Sequence, residues 1–120
     1  MATVLVADDS VLYLHVAGRI LAEAGYEVVL ARSGHEALDL ARTRRPDVLL
    51  CDLLMPDGDG LETLRALKGD PALWDVPVYL LTGAEQGDQL DAAAAAADGV
   101  LTKPFDRAAL LAAVGRHARP

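Results

Sequence analysis

Five short apolar runs constrain this chain most: Thr3 to Ala7, Glu27 to Ala31, Val48 to Cys51, Val78 to Leu81 and Gly99 to Thr102. Each reads as a strand and each is followed by a segment of helical character, so strand and helix alternate along the whole sequence. That alternation implies an α/β domain with a mostly parallel sheet covered by helices on both faces. Short connections and right-handed crossovers leave few topologies, and for five strands the doubly wound order 2-1-3-4-5 is the commonest. In that order the chain reverses between strands one and three, and a crevice opens there at the carboxyl ends of the strands. No internal repeat or linker interrupts the pattern, and a single domain over residues 1–120 is expected.

The helical segments carry their own signals. Tyr13, Val16, Ala17, Ile20, Leu21 and Ala24 recur at three- and four-residue steps, a stripe expected to face the core, with Ser10 as the cap. A second helix is expected over about Gly34 to Thr43, ending before Pro46, and a third from Asp59 or Gly60 to Lys68. The last runs near Asp106 to His117, with Leu110, Leu111 and Val114 on one side. The segment from Gln89 to Ala97 contains six consecutive alanines, which favour helix but bury little apolar area.

The polar residues that close the strand runs carry the chemistry. They read VLVADDS, VLLCDLLMPDGDG, VYLLTGA and GVLTKPF, so Asp8, Asp9, Asp52, Thr82 and Lys103 meet at one edge of a parallel sheet. Three converging carboxylates repel one another, so either some take up protons or a cation sits among them. Oxygen-only ligands, without a nearby His or Cys, suit Mg²⁺ or Mn²⁺ rather than zinc. Asp52 is then placed to act as a nucleophile, since carboxylates form aspartyl phosphates. Lys103 neutralises charge on a transferred phosphoryl group and the Thr82 hydroxyl binds another of its oxygens. Pro104 restricts the backbone beside Lys103 and helps to aim its side chain.

Composition excludes several other classes. A net charge of −7 argues against non-specific nucleic-acid binding, and the one basic cluster, Arg42, Arg44 and Arg45, reads as a solvated helix end. No run is long enough to span a bilayer or to form a signal-peptide core, so a soluble, cytoplasmic protein without membrane insertion is expected. Cys51 is the single cysteine and reads as a buried thiol. His15, His35 and His117 lie apart and read as surface or boundary residues. Trp74 reads as the anchor of the loop between Asp70-Pro71 and Val76-Pro77.

Taken together, these separated motifs resemble the receiver domain of two-component response regulators over essentially the whole chain, close to the chemotaxis regulators. The resemblance implies a flavodoxin-like (βα)5 fold. It implies that Asp8 and Asp9 are the acidic metal-binding pair, that Asp52 is the phosphoacceptor and that Leu54 lends its backbone carbonyl to Mg²⁺. Thr82 matches the switch hydroxyl and Lys103-Pro104-Phe105 the lysine-proline-phenylalanine signature. It further implies a sensor histidine kinase or histidine phosphotransfer protein as donor, docking on the first helix and the strand-to-helix loops. A downstream protein target or a missing output domain would read the face made by the last strand and its flanking helices. Such a domain is not an enzyme beyond its own phosphotransfer and slow self-dephosphorylation.

Two departures from that family pattern bear on mechanism. The position three before the lysine usually holds an aromatic residue that rotates inward, and here it is Val100, so output is expected to travel through the Thr82, Gly83 and Ala84 loop and the alanine-rich helix. The positions that influence water access to the acyl phosphate are Leu54 and Ala84, neither able to hydrogen-bond water through its side chain, so a long-lived phosphoryl group is expected.

Rival readings fit less well. A Mg²⁺-dependent phosphohydrolase of the haloacid-dehalogenase type needs a second Asp where Leu54 stands, and the chain has no room for a substrate cap. A dinucleotide site lacks its G-x-G-x-x-G after the first strand. A calcium loop on Asp57 and Asp59 lacks an acid at Met55 and a Glu at Ala66, so Asp59 reads as a helix cap and Asp57 as a solvated loop residue. A docking-only receiver has no chemical need for the five polar groups. Past the last helix the chain closes on Ala118-Arg119-Pro120, which fits either a short tail or the start of a linker, and no output module is expected within it.

Overall fold

In a computed structural model of the protein, residues 1–53, 55, 60–83 and 94–120 are described. The expectations for Leu54, Asp57, Asp59, Ala84 and most of the alanine-rich segment lie outside these residues; residues 94–96, at that segment's end, are helical.

The described elements are β1 (Thr3–Ala7), α1 (Val11–Glu23), β2 (Glu27–Ala31), α2 (Gly34–Thr43), β3 (Val48–Asp52), α3 (Gly60–Lys68), β4 (Val78–Thr82), β5 (Gly99–Thr102) and α4 (Arg107–Gly115). All strand pairs are parallel, in the order β2-β1-β3-β4-β5. The doubly wound fold expected from the alternation is therefore the fold observed.

The three central strands are apolar almost throughout because both sheet faces are covered, and their side chains alternate between two cores. Leu5, Ala7, Leu49, Cys51, Val78 and Leu80 join Ala37, Ala41, Leu64 and Leu67 of α2 and α3. Val4, Val6, Val48, Leu50, Tyr79 and Leu81 point the other way, onto Leu14, Ala17 and Leu21 of α1 and Leu110, Ala113 and Val114 of α4. A one-residue slip of any central strand would exchange its two sets of contacts, so register and packing fix each other.

Helix ends are set by local chemistry. The side chains of Ser10, Ser33 and Asp106 accept hydrogen bonds from the backbone N–H of Tyr13, Glu36 and Ala109 at 3.4, 3.1 and 2.7 Å. After α1, Gly25 takes φ of 101°, and the N–H groups of Gly25 and Tyr26 donate to the carbonyls of Ala22 and Leu21. This double closure needs a left-handed residue that only glycine supplies cheaply, and it turns the chain straight into β2.

Three local expectations are corrected. Leu14, absent from the expected α1 stripe, is buried, whereas Val16 is 40% exposed; the core stripe is Leu14, Ala17 and Leu21, rotated by part of a turn. Trp74 is 61% exposed, and Leu73 at 1% and Val76 at 0%, rather than its indole, fill the core beneath the loop. The last helix is shorter than expected: Asp106 is its cap and His117 lies beyond its end. The Arg42, Arg44 and Arg45 cluster is the exposed helix end that was expected, and its side chains pair with Asp70, Glu27 and Asp75 respectively.

Candidate functional site

The polar residues converge because the sheet ladders continue one step past their last apolar rungs. The Asp8 N–H donates to the Ala31 carbonyl at 3.1 Å, Leu53 N–H to Leu81 at 3.0 Å and Lys103 N–H to Thr82 at 2.6 Å. The backbones that carry the site are thereby part of the sheet itself. Asp52 is the last residue of central β3, and Thr82 pairs with Thr102 at the corresponding end of β4.

Asp8 and Asp52 are buried and Asp9 is exposed at the mouth. One carboxylate oxygen from each lies within 4.8 Å of the others, the one such acidic group among the described residues. Lys103 crosses from the far edge of the sheet. Its Nζ donates to Asp8 Oδ2 at 2.6 Å and stands 3.5 Å from Asp52 Oδ2. The other Asp8 oxygen accepts from the Ser10 N–H at 2.9 Å, so both its oxygens are engaged.

Among the described residues, the three carboxylates outnumber the one ammonium beside them. A donor set made only of carboxylate oxygen, in that excess, fits a divalent hard cation such as Mg²⁺. The buried Thr82 and the neighbouring Gly83 complete the described part of this edge.

Two neighbours that shape the site carry little sequence signal. A Cβ on Gly60 would lie 2.5 Å from the Asp52 carbonyl oxygen and from Leu53 Cα, while its N–H donates to the Leu53 carbonyl at 2.7 Å. Glycine at the start of α3 is therefore required by the close approach of β3's end. The Tyr13 ring covers Lys103, with Nζ 4.3 Å from its centroid, and Phe105 packs on Tyr13 at 5.8 Å between centroids. Tyr13 was legible only as a helix-stripe residue. The available signal was its place three residues after Ser10, in the first turn of a helix whose side chains lean back toward the sheet edge.

Val100, on edge strand β5, is 38% exposed, and its neighbour Leu101 is the residue that enters the core. Leu54 and Ala84 lie outside the described residues. On the flank of the site, Val11, Leu12, Val16 and Leu30 are exposed, and a shallow cavity of about 330 Å³ opens between Val11, Leu14, His15, Leu30, Arg32 and Glu36.

Comparison with known proteins accords with this geometry. The family model of the response regulator receiver domain matches residues 4–115. The polar-differentiation response regulator DivK of Brucella anthropi is 35% identical over 104 residues, covering 86% of this chain and 85% of its own. The chemotaxis response regulator CheY4 of Vibrio cholerae superposes with a TM-score of 0.86 at 34% identity, covering 98% of this chain and 99% of its own. The receiver domain of the sensor histidine kinase PA1611 from Pseudomonas aeruginosa, solved with a magnesium ion in its active site cleft, gives a TM-score of 0.89 at 31% identity, over 97% and 96% of the two chains.

Proposed function

This chain belongs to the response regulator receiver domains, the regulatory modules of two-component signalling, and from that premise we propose that it accepts a phosphoryl group from a phosphohistidine onto Asp52 and thereby changes what it binds. The observation that carries the reading is the placement of Asp52: buried at the end of a central strand, in the acidic group with Asp8 and Asp9, and 3.5 Å from the Lys103 ammonium.

A carboxylate oxygen of Asp52 attacks phosphorus in line with the bond to the donor imidazole nitrogen. That P–N bond breaks, its electron pair leaves on nitrogen, which takes a proton from water, and the product is an acyl phosphate. Asp8, Asp9 and Asp52, with the Leu54 backbone carbonyl, would hold Mg²⁺, or Mn²⁺ in its place. The ion, when bound, supplies charge neutralisation for the phosphoryl oxygens; the magnesium in the PA1611 receiver's cleft supports this assignment. Lys103, aimed by Pro104, turns its ammonium from Asp8 toward the incoming phosphoryl oxygens, and Thr82 donates its hydroxyl hydrogen to another.

The switch that follows differs from one built on a rotating aromatic ring. Val100 has no ring to bury, so the shift of Thr82 is passed on through Gly83 and Ala84 toward the helix that precedes β5. The donor, a sensor histidine kinase or histidine phosphotransfer protein, docks over exposed Val11, Leu12, Val16 and Leu30 beside the acidic mouth. The reader is a downstream protein or an output domain, with no direct nucleic-acid contact, in the cytoplasm. No described helix is long and apolar enough to cross a membrane.

Transfer is tested by mixing the protein with a phosphorylated histidine phosphotransfer domain and following the label; Asp52→Asn is expected to take none, and label on the variant would refute the assignment. Leu54 and Ala84 leave no side chain to orient a hydrolytic water, so the acyl phosphate is expected to decay slowly. Leu54→Asn with Ala84→Glu is expected to shorten its half-life at least severalfold, and an unchanged half-life would remove this account of the lifetime.

A further inference from the structure

Lys103 has a third partner besides the two carboxylates. Its Nζ sits 4.3 Å from the centroid of the Tyr13 ring, and its side chain is only 15% exposed. Tyr13 is fixed at its backbone and at its ring. The Tyr13 N–H donates to the Ser10 side chain in the first turn of α1, immediately after the acidic pair. Phe105 packs against the ring at 5.8 Å and 45°, and is itself seated on the core formed with α1 and α4. Lys103 and Phe105, either side of Pro104, thus both rest on one aromatic ring from another element.

A lysine that must meet a phosphoryl oxygen needs to be aimed, and a stem with four rotatable bonds does not aim itself. The ion pair with Asp8 at 2.6 Å holds the ammonium in place, and Nζ has to leave it to meet a phosphoryl oxygen. An aromatic face differs from a hydrogen-bond acceptor: its attraction for a cation is broad, so the ammonium can slide across it and exchange one oxygen partner for another without losing it. We propose that Tyr13 is a positioning residue for Lys103, its ring face retaining the ammonium while Nζ passes from Asp8 to the phosphoryl oxygens. The inference rests on Asp52 being the phosphoacceptor. It also places an aromatic contact between the site and α1 in a chain whose β5 carries Val100.

The test pairs a rate with a spectroscopic signature. The rate is phosphorylation by acetyl phosphate with Mg²⁺, read by intact mass for the wild type, Tyr13→Leu, Tyr13→Phe and Tyr13→Trp, in both the Lys103 and the Lys103→Met backgrounds. Tyr13→Leu fills the space without a π face and is expected to slow the reaction about five- to tenfold. The Phe and Trp variants are expected to restore the rate, and Tyr13→Leu is expected to add nothing once Lys103→Met has removed the cation. Equal rates for wild type and Tyr13→Leu, failure of the Phe variant to rescue, or a full Leu effect in the Lys103→Met background would overturn the proposal.

The signature is the NMR shift of the Lys103 ε-methylene protons, moved upfield by the ring in the wild type and the Phe variant and returned to the ordinary lysine position in Tyr13→Leu. It needs no phosphorylation. A wild type that takes no phosphoryl group from acetyl phosphate or from a phosphorylated histidine phosphotransfer domain, while showing the upfield shift, would therefore refute the reading of Asp52, and with it the catalytic half of the proposal. A missing upfield shift would refute the Tyr13 contact itself.

Discussion

At residue 60, one hydrogen atom in place of a side chain lets the first turn of α3 sit against the end of β3. An added methyl group would meet backbone on two sides, the Asp52 carbonyl oxygen and Leu53 Cα at 2.5 Å, and backbone cannot swing aside as a flexible side chain can. Gly60→Ala is therefore expected to destabilise the protein by about 2 kcal/mol or more, measured by urea unfolding, because the strand end and helix must separate. The same displacement moves Asp52, so the phosphorylation rate falls with it. An alanine variant as stable as the parent would mean that the close approach is not required. This constraint was invisible in the sequence, where Gly60 reads simply as one glycine of an Asp-Gly-Asp-Gly run. Trp74 shows the converse: a large aromatic residue between prolines invites an anchoring role, yet Leu73 beside it holds the core position and the indole lies outside.

At the scale of elements, the amino ends of β4 and β5 are tied to α3 by a clasp. Lys68 Nζ donates to the carbonyls of Trp74 and Val76 at 3.4 and 3.1 Å and to Asp98 Oδ2 at 3.0 Å. Asp98 Oδ2 also accepts from the Val78 N–H at 2.7 Å, and the Asp98 N–H donates to the Val78 carbonyl at 2.8 Å. Partial burial pushes the Asp98 carboxyl up, but the Val78 N–H and the Lys68 ammonium outweigh it and leave the group below its ordinary value. A carboxyl depressed on folding contributes stability that is present above its unfolded pKa and lost as pH falls through the folded one. Asp98→Asn is therefore expected to be less stable than the parent at neutral pH, with the gap closing below about pH 4, in thermal melts across pH. A gap that widens on acidification would contradict this. Nothing in the sequence around Asp98 points to this role. Its partner stands 30 residues away on α3, a distance that only the folded topology closes. The strands themselves were legible to within a residue, because each is a short apolar run that ends at a polar or turn-forming residue. The α1 stripe was not, because Leu14 and Val16 are equally apolar and only packing decides which of them turns inward.

For the whole molecule, the fold and the site come from one arrangement. Parallel strands share a carboxyl edge, so residues that close successive apolar runs meet whatever their separation in sequence, and the backbone ladder carries Asp8, Leu53 and Lys103 one rung beyond the core. That is why Asp8, Asp9, Asp52, Thr82 and Lys103 were legible together from the sequence alone, while Tyr13 and Gly60, placed by helix packing across the edge, were not. The central claim is that this edge takes a phosphoryl group on Asp52 with help from a divalent cation. Its most direct test is intact mass over time after mixing the protein with acetyl phosphate, with Mg²⁺ or with EDTA, beside Asp52→Asn. The account expects a gain of one phosphoryl group that needs Mg²⁺ and is absent from the variant; a gain in EDTA, or one of equal size in Asp52→Asn, would contradict it.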